Sequence, residues 1–207
     1  MLSVQLVLAC VAGLLALGLS SPSGSARATA ADPGVLRARA AHRWMPPRGA
    51  AFNVPWGNEV ERTRLMRRIV TAARHTRRGE TIRFAMYSFD RQTMADALIA
   101  AHRRGVHVQL VVNDNWTSAA TNRLKRVLGT NHRRRHFVVI CHQSCRGGHG
   151  NAHLKVYSFT RAGGARHVFM TGSTNITRRA VSLQWNDLYT LYGDRKLFST
   201  WVTYFNQ

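Results

Sequence analysis

Acidic residues are scarce in this chain: nine Asp and Glu stand against 30 Lys and Arg in 207 residues, for a formal net charge of +21. Lysine is almost missing too, with Lys125, Lys155 and Lys196 beside 27 arginines. A surface so short of carboxylates excludes a basic partner and points to polyanions, either nucleic acid or anionic lipid head groups at a membrane surface. Charge alone does not choose between them. There are three cysteines, and Cys10 falls in an amino-terminal apolar run, which leaves Cys141 and Cys145 in CHQSC. In an exported protein a pair this close reads as a small disulfide that pins the loop ahead of His153. The alternative is a metal held with His142, His149 and His153, although the spacing matches no common zinc pattern. No charge occurs in residues 1–20, and Ala28-Thr29-Ala30 is a small-x-small cleavage site. Residues 1–30 therefore read as a signal peptide cleaved near Ala30, giving a secreted protein of net charge +20, since Arg27 is the one charged residue removed. The missing basic n-region leaves an amino-terminal anchor or a misplaced start open, and Val7-Leu8-Ala9-Cys10 leaves a lipoprotein box open.

Internal repeats and low-complexity segments are absent, and the length is enough for one domain with a proper core but short for two. Four of the five prolines lie in residues 31–57, which read as an irregular lead-in ending near Trp56. Residues 58–207 then form the domain. A helix is expected from Asn58 to Arg78, with Asn58 as N-cap, Glu59 and Glu61 in the first turn, and Gly79 as its stop. Next come a strand Ile82–Tyr87, a helix Thr93–Arg104 and a strand Val106–Val112, a βαβ unit with parallel strands. A helix Ser118–Leu128 leads through the basic run His132–His136 into a strand Phe137–Ile140. After a hairpin, a strand Asp187–Tyr192 and a helix Arg195–Phe205 close the chain. The alternation predicts an α/β fold, a mixed β-sheet flanked by helices in an α-β-α sandwich.

The chemistry sits in that hairpin. His153 and Lys155 are two apart in NAHLKVYSF, and 17 residues beyond Lys155 comes GSTN, Gly172 to Asn175. Both stretches read as strands, with the turn-prone string Thr160–Arg166 between them. Residues two apart in a strand project from one face, so His153 would share a face with Lys155, and Ser173 with Asn175. A nucleophile or acid, a fixed cation, a hydroxyl and an amide would then converge, a set suited to a phosphate ester. The competing view has His153 and Lys155 facing solvent beside a polar hairpin.

At these residues the chain resembles the phospholipase D superfamily, whose signature is HxK(x)4D followed by a GSxN or GGxN turn. The stretch from Thr81 to Asp114, TIRFAMYSFDRQTMADALIAAHRRGVHVQLVVND, is similar to that family's strand, helix and strand opening. The resemblance runs from about Asn53 to Phe205 and is closest to secreted actinobacterial members. It departs in two places: Thr160 stands where the signature has Asp, and the hairpin before GSTN is longer than usual.

The resemblance implies a single phospholipase D-like domain and a phosphodiesterase working through a phosphohistidine, with neither cofactor nor metal. His153 would attack phosphorus, while Lys155, Ser173 and Asn175 meet the phosphoryl oxygens. A carboxylate would orient His153. With Thr160 in the signature position, Asp187 is the first candidate and Asn186 the second. Family members use two histidines from two HxK motifs, and this chain has one, which implies a homodimer or a missing second half. Phospholipid is the first substrate class on family frequency. A secreted metal-independent nuclease and an inactive half that only binds polyanions are the alternatives. His149 and the glycines of RGGHG would shape the rim, and Trp116 and Trp185 are core, lipid-contact or stacking residues.

Overall fold

The computed structural model describes residues 44–207; the expected signal segment, with Cys10 and Ala30, lies outside them, as does the first part of the lead-in. Seven strands are formed among the described residues: β1 (Gly49–Phe52), β2 (Thr81–Met86), β3 (His107–Asn113), β4 (Phe137–Cys141), β5 (Lys155–Ala162), β6 (Ala165–Thr171) and β7 (Asp187–Leu191). The helices are α1 (Glu59–Arg74), α2 (Gln92–Arg103), α3 (Ala119–Leu128), α4 (Arg178–Ser182) and α5 (Arg195–Phe205). One mixed sheet runs in the order β1-β7-β6-β5-β2-β3-β4. It is parallel across β2, β3 and β4 and antiparallel elsewhere. The expected α/β class with a mixed sheet between helices is what the chain adopts.

Alternation along the strands sorts the two faces. Ile82, Phe84 and Met86 of β2, Val108, Leu110 and Val112 of β3, and Tyr157 and Phe159 of β5 join Leu65, Ile69, Leu98 and Leu124 of α1 to α3 in the main core. On the other face Ala85 and Val156 lie under Trp201 of α5. Trp201 Nε1 donates to Ser158 Oγ at 2.8 Å, so the indole is buried without an orphaned donor.

Helix α1 begins as its capping residues dictate. Asn58 Oδ1 accepts from the Glu61 amide while the Glu61 carboxylate accepts from the Asn58 amide, a capping box. It ends at Arg74, four residues short of the expected last residue, Arg78. The reason lies in its last turn, where Arg104 Nη2 donates to the carbonyls of Ala73, Arg74 and Thr76 and the His75 ring stacks on Trp44 at 4.4 Å.

The lead-in is not wholly irregular. Residues 49–52 form edge strand β1 on β7, with Phe52 opposite Asp187. Asn53, buried, then ties the α4–β7 connection: its Nδ2 donates to the carbonyls of Ala180 and Gln184, and its Oδ1 accepts from the Asn186 amide at 2.7 Å. The hairpin strands are also longer than the turn-prone string suggested. β5 runs to Ala162 and β6 starts at Ala165, so the turn is Gly163–Gly164 alone, with Gly163 at φ +59°.

Candidate active site

One end of the sheet gathers the polar residues. The carboxyl ends of the parallel strands β2, β3 and β4, the start of β5, the end of β6 and the start of β7 all meet there, where open α/β sheets place their ligands. β5 begins at Lys155, so His153 lies just ahead of the strand and not within it. The two are brought together by a third residue instead. Tyr87, directly after β2, packs its ring against the His153 ring at 4.6 Å between centroids, and Lys155 Nζ lies 5.2 Å from the same ring. Lys155 Nζ also donates to the His153 carbonyl at 2.8 Å. The lysine is buried and His153 is exposed. Burial lowers the pKa of the Lys155 ammonium.

The GSTN turn does not place its two polar side chains on one face. Asn175 Oδ1 accepts from the Ser88 amide at 3.3 Å, next to Tyr87, and its NH2 has no hydrogen-bond partner among the described residues. Ser173 turns the other way. Its Oγ accepts from the Asp187 amide and its own amide donates to Asp187 Oδ1, both at 3.0 Å. Beyond Thr171 the chain has left the strand, so the two-residue period no longer holds. A Cβ at Gly172 would run into the Asp187 carbonyl, which explains glycine there. Tyr157 fixes the turn from below: its hydroxyl donates to the Thr174 carbonyl at 2.6 Å.

Of the five expected site residues, His153, Lys155 and Asn175 are thus grouped at the Tyr87–Ser88 turn, while Ser173 and Asp187 bind each other on the β7 side. The Asp187 carboxylate takes the Ser173 amide and not the His153 ring. Asn186 is not an alternative orienting group either, because its Nδ2 donates to the carbonyls of Ala180 and Gln184. Thr160 lies at the far end of β5, five residues and roughly 17 Å of strand from Lys155. There its Oγ1 donates to Glu80 Oε2 at 2.6 Å and accepts from the Thr81 amide at 2.8 Å. A carboxylate in this region therefore braces the strand, supplied by the neighbouring Glu80.

Sequence reasoning missed a second polar cluster, on β3 and β4. Asp114 Oδ2 lies 2.6 Å from His142 Nδ1 and accepts from the Gln143 amide. Burial pushes the Asp114 carboxyl up, but the His142 ring and the Gln143 amide outweigh it and hold the pKa below the usual value. Asn113 Nδ2 donates to the Gln143 carbonyl at 2.6 Å, and the same carbonyl accepts from the Ala152 amide at 3.0 Å, just ahead of His153. Cys141 and Cys145 are joined as a disulfide with Cα atoms 4.9 Å apart, closing this loop. Among the described residues no three His, Cys, Asp or Glu side chains are placed to hold a metal. His149, on the far arm of the loop, is exposed. The signal for Tyr87, Ser88 and Asp114 was present in the sequence as polar residues ending two parallel strands, MYSFD and VVND.

A mixed sheet carrying an HxK strand start and a GSxN turn at one end is the phospholipase D-like architecture. The family model described as "Cardiolipin synthase, PLD-like domain" matches residues 68–207, and the chain belongs to this phospholipase D-like family of phosphodiesterases. Nuc from Salmonella typhimurium, a phospholipase D family member, superposes with a TM-score of 0.53 at 19% identity, over 75% of this chain and 91% of that one. NucT from Helicobacter pylori does so with a TM-score of 0.53 at 16% identity, over 75% of this chain and 92% of its own. At such identities the likeness is one of fold. No curated protein sequence matches the chain.

Proposed function

We propose that this chain is the half-site of a phosphodiesterase acting on nucleic acid, with His153 as nucleophile. The observation that carries the chemistry is the packing of His153 and Lys155 on one Tyr87 ring beside Asn175. A His153 ring nitrogen attacks phosphorus and the bond to the leaving oxygen breaks, while Lys155 and the Asn175 amide meet the negative charge that builds on the phosphoryl oxygens. A second histidine, neutral His153 being occupied by the phosphoryl group, gives its proton to the leaving alkoxide. The same group then takes a proton from water, whose oxygen displaces His153 to release a phosphomonoester. The chain has one HxK, so that second histidine comes from a further copy or from a second half. Nucleic acid is preferred because the groove adjoining the half-site is lined by arginine and tryptophan.

Phospholipid hydrolysis at a membrane surface has an observation of its own. Phe52, Trp56, Leu183 and Trp185 are each more than half exposed and flank β1 and β7 at the same end of the sheet, with the two indoles edge to face at 6.0 Å. Such aromatic rims suit the lipid interface. Hydrolysis of single-stranded DNA and of phosphatidylcholine vesicles, each in EDTA, separates the two substrates. His153→Ala is expected to reduce turnover by about 10³ or more while leaving the fold intact, and acid quenching of the parent should trap phosphohistidine. Equal turnover by parent and His153→Ala would remove the mechanism.

A further inference from the structure

Next to the half-site the end of the sheet opens into a groove of about 620 Å³, lined among others by Asp90, Arg91, Thr93, Trp116, Thr117 and Arg178. Its walls are built from the same backbone that builds the site. Phe89, fully buried, bridges Thr117 on one side and Ile176 on the other. Arg91 therefore follows Ser88 by three residues, and Arg178 follows Asn175 by three. The groove thus borders the segments that follow Ser88 and Asn175 in the chain.

The lining has one aromatic and two cations. Trp116 is 44% exposed, yet its flanks are fixed: Asn115 Nδ2 donates to Ser88 Oγ at 3.1 Å, and Thr117 is bridged to Phe89. An indole presented on a backbone tied at both flanks loses less entropy when a flat ligand stacks on it. Arg91 Nε is buried with no acceptor among the described residues. The single carboxylate, Asp90, is engaged by the Arg178 amide at 2.9 Å. Helix α2 starts here with no acid in its first turn and no side-chain hydrogen bond at its cap residue Arg91, which adds to the positive field.

We propose that this groove is a nucleotide subsite, in which an unpaired base of a single-stranded nucleic acid stacks on Trp116 and the phosphate beside the scissile one lies against Arg91 and Arg178. The assignment deepens the nucleic-acid reading given above and rests on it. An unpaired base offers a free π-face, whereas bases inside a duplex are covered on both faces. An indole face also attracts a choline ammonium, but Arg91 and Arg178 repel that cation here, and two arginines, an aspartate and threonines make poor contacts for acyl chains.

Fluorescence anisotropy on the whole chain tests it, using His153→Ala as parent so that the probe is not consumed. The probes are a labelled oligothymidylate of about 12 nucleotides and an abasic strand with the same phosphates. Adding Trp116→Ala should weaken oligothymidylate binding about fivefold or more and leave the abasic strand unchanged. Trp116→Phe should restore most of the loss, which separates a lost stacking surface from a lost fold. Arg178→Ala should weaken both strands and lower the salt slope by about one. Oligothymidylate binding that survives Trp116→Ala and Trp116→Phe unchanged would overturn the subsite, as would an equal loss on both strands. A loss of phosphatidylcholine vesicle binding with no change on DNA would assign Trp116 to lipid and overturn it too. Failure of the phosphodiesterase reading shows elsewhere, as absent DNA cleavage by the protein that retains His153, with the anisotropy pattern intact.

Discussion

Lys155 is the residue on which the half-site's charge depends. Burial lowers its pKa, so the ammonium persists below that folded-state value and is lost as pH rises through it. The alkaline limb of activity is accordingly expected below the ordinary lysine range of about 10.4. Lys155→Arg keeps its charge throughout, so its profile should lose this limb while its rate drops, because the guanidinium cannot reproduce the short reach of Nζ to the His153 carbonyl. A pH–rate series on the two proteins checks this; an unchanged alkaline limb in Lys155→Arg would show that another group titrates there. The HxK spacing made His153 and Lys155 legible in the sequence. Tyr87 was visible only as a polar residue ending a strand; its meeting with them was not legible, because it reaches them from the end of β2, 66 residues ahead of His153, and no local period encodes that contact.

Elements were legible where cap and period agree. α5 has the bounds Arg195 to Phe205 expected of it, with the Asp194 side chain accepting from the Leu197 amide at its start. The Asn58 capping box likewise marked α1. β1 is four residues of GAAF beside prolines and owes its strand conformation to pairing with β7, more than 130 residues away, while α4 is a five-residue turn held by Thr177 and Asn186. Long-range pairing of this kind leaves no periodic trace. Histidines define another element-scale property, at the junction of α2, β3 and the segment before β4. The His102 and His136 rings are 4.6 Å apart. Burial first, then His136 and His107, lowers the His102 pKa; burial first, then Arg135, His136 and Arg83, lowers that of His107. With folded values below the unfolded value of about 6.5, the unfolded chain binds more protons in that window, so stability falls as pH falls through it. The thermal midpoint should drop by a few degrees between about pH 7.5 and pH 5.5, and His102→Gln should flatten that slope. A midpoint independent of pH in this range, measured by circular dichroism, would contradict it.

At the scale of the molecule, the proposed mechanism needs a second histidine as acid, and the chain carries one HxK motif. Specific activity is expected to rise with protein concentration through the range where copies pair, or to require addition of the second half. Light scattering recorded beside the rate assay decides: a strict monomer with full, concentration-independent specific activity would exclude a shared site. Net charge of +21 makes any DNA affinity fall steeply with salt, so assays at different ionic strengths are not comparable.

Thr160 and Glu80 carry a consequence for substitution at the signature position. The carboxylate that a signature aspartate would bring to β5 is supplied here from the residue before β2, and the threonine hydroxyl receives it. Restoring the aspartate alone, as Thr160→Asp, would set two carboxylates against each other where one proton or one charge must yield, and destabilise the chain. Glu80→Gln in the same protein should relieve the clash, so the two positions are epistatic: each residue is tolerable only in the company the other keeps. The brace at this end of β5 thus comes from across the neighbouring strand, and a substitution at position 160 acts through Glu80.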